Sequence, residues 1–453
     1  MMKRAKWAAV AVALCMGFGG VARAETLADA LTSAYNNSGL LDQNRALLRA
    51  ADEDLAQAVS ATLPVLSWLF TASNTRPNNT PGAELLQASA RLNASLTIYD
   101  GGANRLGIEA QKETILGTRQ SLRSVEQDVL LRAVQAYMNV RRDSEFVSLR
   151  QNNVRLITQE FRAAQDRFEV GEVTRTDVAL AEARLAAARS QLAAAEGTLA
   201  RSIEEFRAAV GRSPQNPTEV SPAPVSRSEA DAKGFAVRNH PNILEAQHAV
   251  SAAELNIERA EAAIRPNVTL EGFVATDPDW DESRQLSLQA TGPIYSGGRL
   301  SSQVRQFMSR RDAARAGLLV TVQGIEQQVG NAYSFLLVAR ASRTASDQQI
   351  RAARVAFQGV REEATLGSRT TLDVLNAEQE LLDAQANLIS AQAEEVVASY
   401  QVLAAMGLMT ADHLRLPVQQ YDPAQYYNLA KQAPVTVSPQ GEALDRILRA
   451  IGD

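Results

Sequence analysis

Two hydrophobic spacings divide this chain. Strict alternation, with a period of two, runs through four short segments. In the first, Leu66, Trp68, Phe70 and Ala72 alternate with Val65, Ser67, Leu69 and Thr71; in the second, Ala88, Ala90, Leu92, Ala94, Leu96 and Ile98 alternate with Gln87, Ser89, Arg91, Asn93, Ser95 and Thr97. Val268, Leu270 and Val274 mark the third, and Leu286, Leu288 and Ala290 the fourth. The pattern predicts two β-hairpins, strands at about 64–74 and 87–98 and at about 266–276 and 284–294, each hairpin with one apolar and one polar face. The turn-rich Asn74–Gly82 stretch and the acidic Thr276–Asp281 stretch are the hairpin tips.

Between the strands the spacing is helical. A helix is predicted from Leu27 to about Ser60, ended by Leu63-Pro64. Residues 102–170 contain no proline and little glycine, and as one helix would extend on the order of 100 Å at 1.5 Å per residue. A further helix is predicted over 174–210, and the second half repeats the set at 228–263, 297–365 and 370–407. In each set the two shorter helices together nearly equal the long one, so they can lie end to end beside it. Heptads mark the packing. Val178, Leu185, Leu192, Leu199 and Phe206 are seven apart, as are Leu375, Leu382, Ile389, Val396 and Leu403, which specifies a left-handed coiled coil.

The repetition is exact in offset over a long stretch. Tyr99-Asp100-Gly101-Gly102 recurs 196 residues later as Tyr295-Ser296-Gly297-Gly298, Ala136-Tyr137 as Ala332-Tyr333, and Gly171 to Val178 falls on Gly367 to Val374. An internal two-fold repeat means one structural unit used twice. The expected organisation is a signal peptide at 1–24, a first repeat at 25–211, a Pro/Ser-rich linker at 212–229, a second repeat at 230–408, and a C-terminal segment at 409–453. For that last segment the sequence leaves open an equatorial collar or a loose tail.

Lys3, Arg4 and Lys6, the apolar Trp7–Gly20 stretch and the Ala22-Arg23-Ala24 site before Glu25 have the form of an export leader. The single cysteine, Cys15, lies inside it, so the mature chain has neither disulfides nor thiolate metal sites. Removing the four leader bases takes the formal charge from −5 to about −9, which argues against nucleic acid as a partner. No later stretch approaches the apolar length of a membrane helix. If the mature chain enters a membrane, only a closed β-barrel remains.

Strands of about ten residues match a tilted membrane span, yet four cannot close a barrel. Their open edges call for a symmetric ring of identical chains. Three chains supply twelve strands, the apolar set facing lipid and the Ser, Thr, Gln and Asn set facing a water-filled lumen. The ring is then a tube, short in the membrane and long in the periplasm.

The chain resembles the TolC-like outer membrane efflux protein family from Leu27 to about Leu408. The resemblance is carried by Leu-x-x-Ala-Leu at Leu27–Leu31, Leu63-Pro64, the two Tyr-x-Gly-Gly corners, and Gly367-Ser368-Arg369-Thr370-Thr371-Leu372-Asp373-Val374-Leu375. It implies an α+β membrane protein: a trimeric 12-stranded outer-membrane β-barrel, four strands per chain, continuing into a long α-helical coiled-coil periplasmic barrel. It further implies a passive exit duct for multidrug efflux or type I protein secretion. The implied partners are outer-membrane lipid, two further copies, a periplasmic adaptor protein and, through it, an inner-membrane pump or ABC exporter.

By the same resemblance, Gly171, Thr174, Gly367, Thr370, Leu372, Val374 and Leu375 form the tip where the adaptor docks. The gate and constriction fall to Thr176, Asp177, Arg369, Asp373 and Asn376. Arg369 is expected to reach across to Thr176 and Asp177, and Asp373 to form a three-fold acidic ring favouring cations. Ala364 stands where the family often has a tyrosine, and Asn376 where it has a second acid, so a looser gate and weaker cation selectivity are expected. Thr-x-x-Asp at 174–177 and 370–373 is also a common helix-start capping pattern, and the two roles are compatible.

Enzyme chemistry finds little footing. His240, His248 and His413 are the only histidines, none in an H-E-x-x-H arrangement, and no phosphate-binding or nucleophile-elbow motif occurs. No cofactor is implied. A periplasmic coiled-coil scaffold without a pore is the competing reading, but it leaves the hairpins without a purpose.

Overall fold

The computed structural model describes residues 25–75, 85–276 and 281–452. The expected leader at 1–24 and most of both hairpin tips lie outside the described residues.

The strands are β1 (Val65–Thr75), β2 (Leu85–Tyr99), β3 (Asn267–Thr276) and β4 (Glu282–Thr291), in one antiparallel sheet of order β1-β2-β3-β4. The hairpins are joined edge to edge by β2 and β3, despite the long stretch of chain between them. Register settles the faces. Trp68 pairs with Leu92, Leu92 with Val274, Leu96 with Leu270, and Leu270 with Leu288, so one face is mainly apolar across all four strands, with Arg284 and Glu282 at its tip end, while Val65, Leu69 and Phe273 lie on the other. Trp68 is 80 % exposed and Leu286 76 %. The opposite face carries Ser67, Asn93, Thr269, Gln285 and Ser287, with the Arg91 guanidinium 3.6 Å from the centre of the Phe273 ring. Among the described residues β1 and β4 each pair on one side only.

The helices are α1 (Leu27–Asn37), α2 (Gly39–Ser60), α3 (Ala103–Glu169), α4 (Arg175–Val210), α5 (Glu229–Asn239), α6 (Pro241–Ala262), α7 (Arg299–Thr365), α8 (Thr371–Ala405), α9 (Pro423–Ala430) and α10 (Pro439–Gly452). α3 and α7 are each 67 residues long. Two helices expected as single rods are instead broken. The Leu27–Ser60 stretch bends at Ser38, which is extended (ψ 105°) and accepts the Leu41 N–H on its hydroxyl at 3.3 Å. The 228–263 stretch breaks at His240, whose Nδ1 accepts the Asn242 N–H at 3.2 Å, with Pro241 at the first position of α6. Asn36-Asn37-Ser38-Gly39 and His240-Pro241 are poor helix interiors, and each supplies a side chain that starts the next helix.

The structure divides into two compact units that cut across the sequence repeats, each drawing on both. In the unit made, among the described residues, of 25–41, 126–236 and 327–419, the buried centre is Tyr137 against Phe206, ring centres 6.4 Å apart. The Tyr137 hydroxyl lies 2.8 Å from the Glu25 carbonyl and 3.0 Å from that of Thr218. Its repeat mate Tyr333 is half-buried, and donates to the Arg227 carbonyl at 2.9 Å. In the unit made of 42–125, 237–326 and 420–453, which holds the sheet, Leu48, Leu55 and Ile115 form a core joined by Tyr421 and Tyr427. The C-terminal segment from Gln420 onward is therefore seated in this unit, whereas 409–419 belong to the other. Tyr426 donates to Glu53 Oε1 at 2.7 Å, and Arg45 and Arg119 sit over the rings of Tyr421 and Tyr427.

Candidate gate and docking tip

The two turns singled out in the sequence are built alike. After α3, Gly171 takes left-handed backbone (φ +77°), its N–H donating to the Phe168 carbonyl at 3.0 Å while Glu172 N–H donates to Arg167 at 2.9 Å. After α7, Gly367 does the same (φ +80°), with Gly367 N–H to Ala364 at 3.1 Å and Ser368 N–H to Glu363 at 3.0 Å. A Cβ is disfavoured in this conformation, so glycine satisfies the last helical carbonyls without strain.

The next helices begin with matching reciprocal caps. At α4, Asp177 N–H donates to Thr174 Oγ1 at 3.4 Å, while Asp177 Oδ2 accepts from Thr174 N at 2.9 Å and Thr174 Oγ1 at 2.7 Å. At α8, the corresponding distances for Thr370 and Asp373 are 3.2, 3.0 and 2.8 Å. These bonds hold both carboxyls below the usual aspartate range. For Asp177 the Thr174 hydroxyl contributes most; for Asp373 it is the Thr370 backbone N–H. Both are therefore ionised near neutrality. Thr174→Ala is expected to remove about 1 kcal/mol of helix-end stability, read as a roughly fivefold loss of amide protection in the first turn of α4 by hydrogen exchange.

Arg369 is placed differently from the expectation. It does not reach Thr176 or Asp177 within the chain, but donates from Nε to Glu363 Oε2 at 2.8 Å. Glu363 is only six residues back, at the end of α7, and Asp177 Oδ2 already accepts from Thr174. Thr176 is exposed. Asn376, also exposed, accepts from Arg184 Nη2 of α4 at 3.2 Å, bringing α4 and α8 together just past the caps.

The expected docking set also divides. Val374 and Leu375 are buried, and Leu375 packs with Ile157 of α3 and Leu185 of α4, so neither side chain is available to a partner. Leu372 remains exposed, together with Val170 and Leu366 at the two turns. One residue that sequence reading passed over stands out. Glu378 is buried on α8, with Oε1 accepting from Asn153 Nδ2 of α3 at 3.1 Å. Its signal lay in the spacing, since it falls three residues after Leu375 and four before Leu382, a core position of the heptad.

With this geometry in place, known proteins give the family. The model of the outer membrane efflux protein family matches residues 30–212 and 235–408. The chain belongs to that family. The Outer membrane efflux protein BepC of Brucella suis is 37 % identical over 423 residues, covering 91 % of this chain and 92 % of BepC. The Alkaline protease secretion protein AprF of Pseudomonas aeruginosa is 26 % identical over 278 residues, 58 % of each chain. Among solved structures, the Campylobacter jejuni CmeC outer membrane channel superposes with a TM-score of 0.76 at 16 % identity, over 90 % of each chain. This efflux protein is thus an outer-membrane protein extending into the periplasm, with the fold of the channel proteins. Its general role is that of an exit duct rather than an enzyme.

Proposed function

We propose that three copies of this efflux protein close into a passive tunnel through the outer membrane, gated at its periplasmic tip. The observation that carries this reading is the sheet: one mainly apolar face, one mainly polar face, and, among the described residues, β1 and β4 each paired on one side only. Exposed edges cannot stand in lipid, and four strands cannot close on themselves. Edge-to-edge pairing of β4 with β1 of a neighbour gives twelve strands, places Trp68, Leu286 and Leu288 against acyl chains, and lines the lumen with the polar face.

In this reading residues 1–24 are removed on export. The repeats 25–211 and 230–408, joined by the 212–229 linker, each supply a hairpin and a set of rods, and 409–453 belongs to the equator of the tube. Gly171, Thr174, Gly367 and Thr370 shape the tip, and Val170, Leu366 and Leu372 give it an apolar surface for a periplasmic adaptor, which connects it to an inner-membrane pump or ABC exporter. Asp373, repeated three-fold, is a ring of fixed negative charge; Thr176, Asp177 and Asn376 lie beside it, and Arg369 acts from its pairing with Glu363. The similarity to BepC, an efflux protein, favours efflux as the export route, and the more partial similarity to AprF, a protease secretion protein, supports protein secretion as the second.

Purified mature protein is expected to run as a heat-modifiable trimer and to conduct ions across planar bilayers with a preference for cations. Asp373→Asn is expected to lower the cation-to-anion permeability ratio severalfold while leaving the trimer intact. A monomer in detergent that conducts nothing would favour the scaffold without a pore.

A further inference from the structure

Glu378 differs from the capping carboxylates of the tip. It is 4 % exposed, five residues beyond Asp373, in a layer with Leu375 and Leu382, both buried. Only one of its oxygens is used. Oε1 takes the Asn153 amide, whereas Oε2 is buried and has no hydrogen-bond partner. The side chain lines a cavity of about 420 Å³ with Leu156 and Gln159 of α3, Phe357 of α7 and Leu381 of α8.

The charges around it do not neutralise it by contact. From α3, Glu160 repels it, and Arg155, which also lines the cavity, donates to Asn152 Oδ1 at 3.0 Å. Arg184 of α4 attracts it from a distance while donating to Asn376, and Arg361 of α7 attracts it more strongly but also without a hydrogen bond. Burial, reinforced by Glu160, pushes the Glu378 carboxyl up to about 7. An ionised carboxylate with an unsolvated oxygen in an apolar layer is costly; the neutral acid is much less so.

We propose that Glu378 makes the packing of α8 against α3 beside the tip proton-dependent, so that these helices hold together at acid pH and loosen as the surroundings turn neutral. The direction follows from linkage. A carboxyl that is raised in the packed state and ordinary when hydrated stabilises packing fully below the ordinary glutamate range, and that stability is lost as pH rises towards about 7. Asp177 and Asp373 do not share this window, because their caps hold them ionised well below it. Loosening here exposes Glu378 Oε2 to water and frees the Asn153 contact that ties the helix entering the tip to the helix leaving it. The consequence for conduction rests on the gated-tunnel reading; the packing itself does not.

The test uses the full mature protein in detergent and in bilayers, comparing wild type with Glu378→Gln, which keeps the shape and the Asn153 contact but cannot ionise. Glu378→Met serves as a second neutral variant. Hydrogen exchange over 150–160 and 375–385, corrected for intrinsic rates, is expected to show wild-type opening that grows roughly tenfold per pH unit between about 5 and 7 and levels above. Both variants are expected to stay flat at the acid level. The frequency of channel opening should follow the same curve in wild type and be flat in Glu378→Gln. Exchange that is equally pH-dependent in wild type and both variants, or flat in wild type, overturns the proposal. Proton-dependent exchange with pH-independent opening supports the packing device and overturns its link to the gate. Absence of conduction from every protein counts against the tunnel, and the exchange data then decide the packing claim alone.

Discussion

Leu288→Arg is expected to abolish assembly of the protein in the outer membrane. Leu288 lies opposite Leu270, which in turn pairs with Leu96, so an arginine there enters the middle of the apolar face. A lipid-facing arginine near the bilayer midplane costs about 2–4 kcal/mol, and a trimer meets that cost in every copy. Ser287 is the control. It neighbours Leu288 in sequence but points to the opposite face, paired with Glu271, so Ser287→Arg should assemble and alter only conductance. Membrane fractionation and heat-modifiable mobility in gels read both variants. Equal insertion of the two would mean that neither face meets lipid, and failure of Ser287→Arg with normal assembly of Leu288→Arg would mean that the faces are assigned the wrong way round.

That contrast depends on a pattern readable in the amino-acid sequence. Alternation specifies which residues share a face, because a one-residue slip in register exchanges the faces entirely; the pairing of Trp68 with Leu92 and of Leu270 with Leu288 follows the polarity of the chain. The glycine turns were equally legible, since Gly171 and Gly367 occupy the backbone region that other residues avoid. The helix breaks at Ser38 and His240 were not read, because apolar spacing resumes at once on the far side. The local signals were nonetheless there, in Asn-Asn-Ser-Gly and in Pro241.

Side-chain partners were the least legible part of the tip. Arg369 has acids both behind it in sequence and across the turn, and nothing in a linear pattern ranks Glu363 over Asp177. In three dimensions Arg369 meets Glu363 at the end of α7, at 2.8 Å. The same limit applies to acids in the heptads. Glu395 and Glu378 both interrupt apolar registers of α8, but Glu395 pairs with Arg343 at 2.7 Å, whereas Glu378 meets only an amide. A charge at a core position can be a compensated ion pair or an isolated titrating group, and the neighbouring helices determine which.

The deepest packing of the helical region gives the largest expected change in stability. Phe206→Ala should destabilise the folded protein by about 3–5 kcal/mol, because Phe206 is fully buried against Tyr137 and its loss opens a cavity between α3 and α4. Tyr137→Phe keeps the ring but leaves the Glu25 and Thr218 carbonyls without its hydroxyl, a loss of about 1–2 kcal/mol. The equivalent changes in the second repeat should be smaller. Val402, the counterpart of Phe206, is buried but offers less side chain to remove, and Tyr333 is half-buried, so that water can replace its hydroxyl at the Arg227 carbonyl. Denaturant midpoints for Tyr137→Phe and Tyr333→Phe measure the difference directly. A clear excess for Tyr137 means that the first repeat, which holds the chain at Glu25, anchors this layer; equal losses would mean that both halves share the load despite their unequal burial.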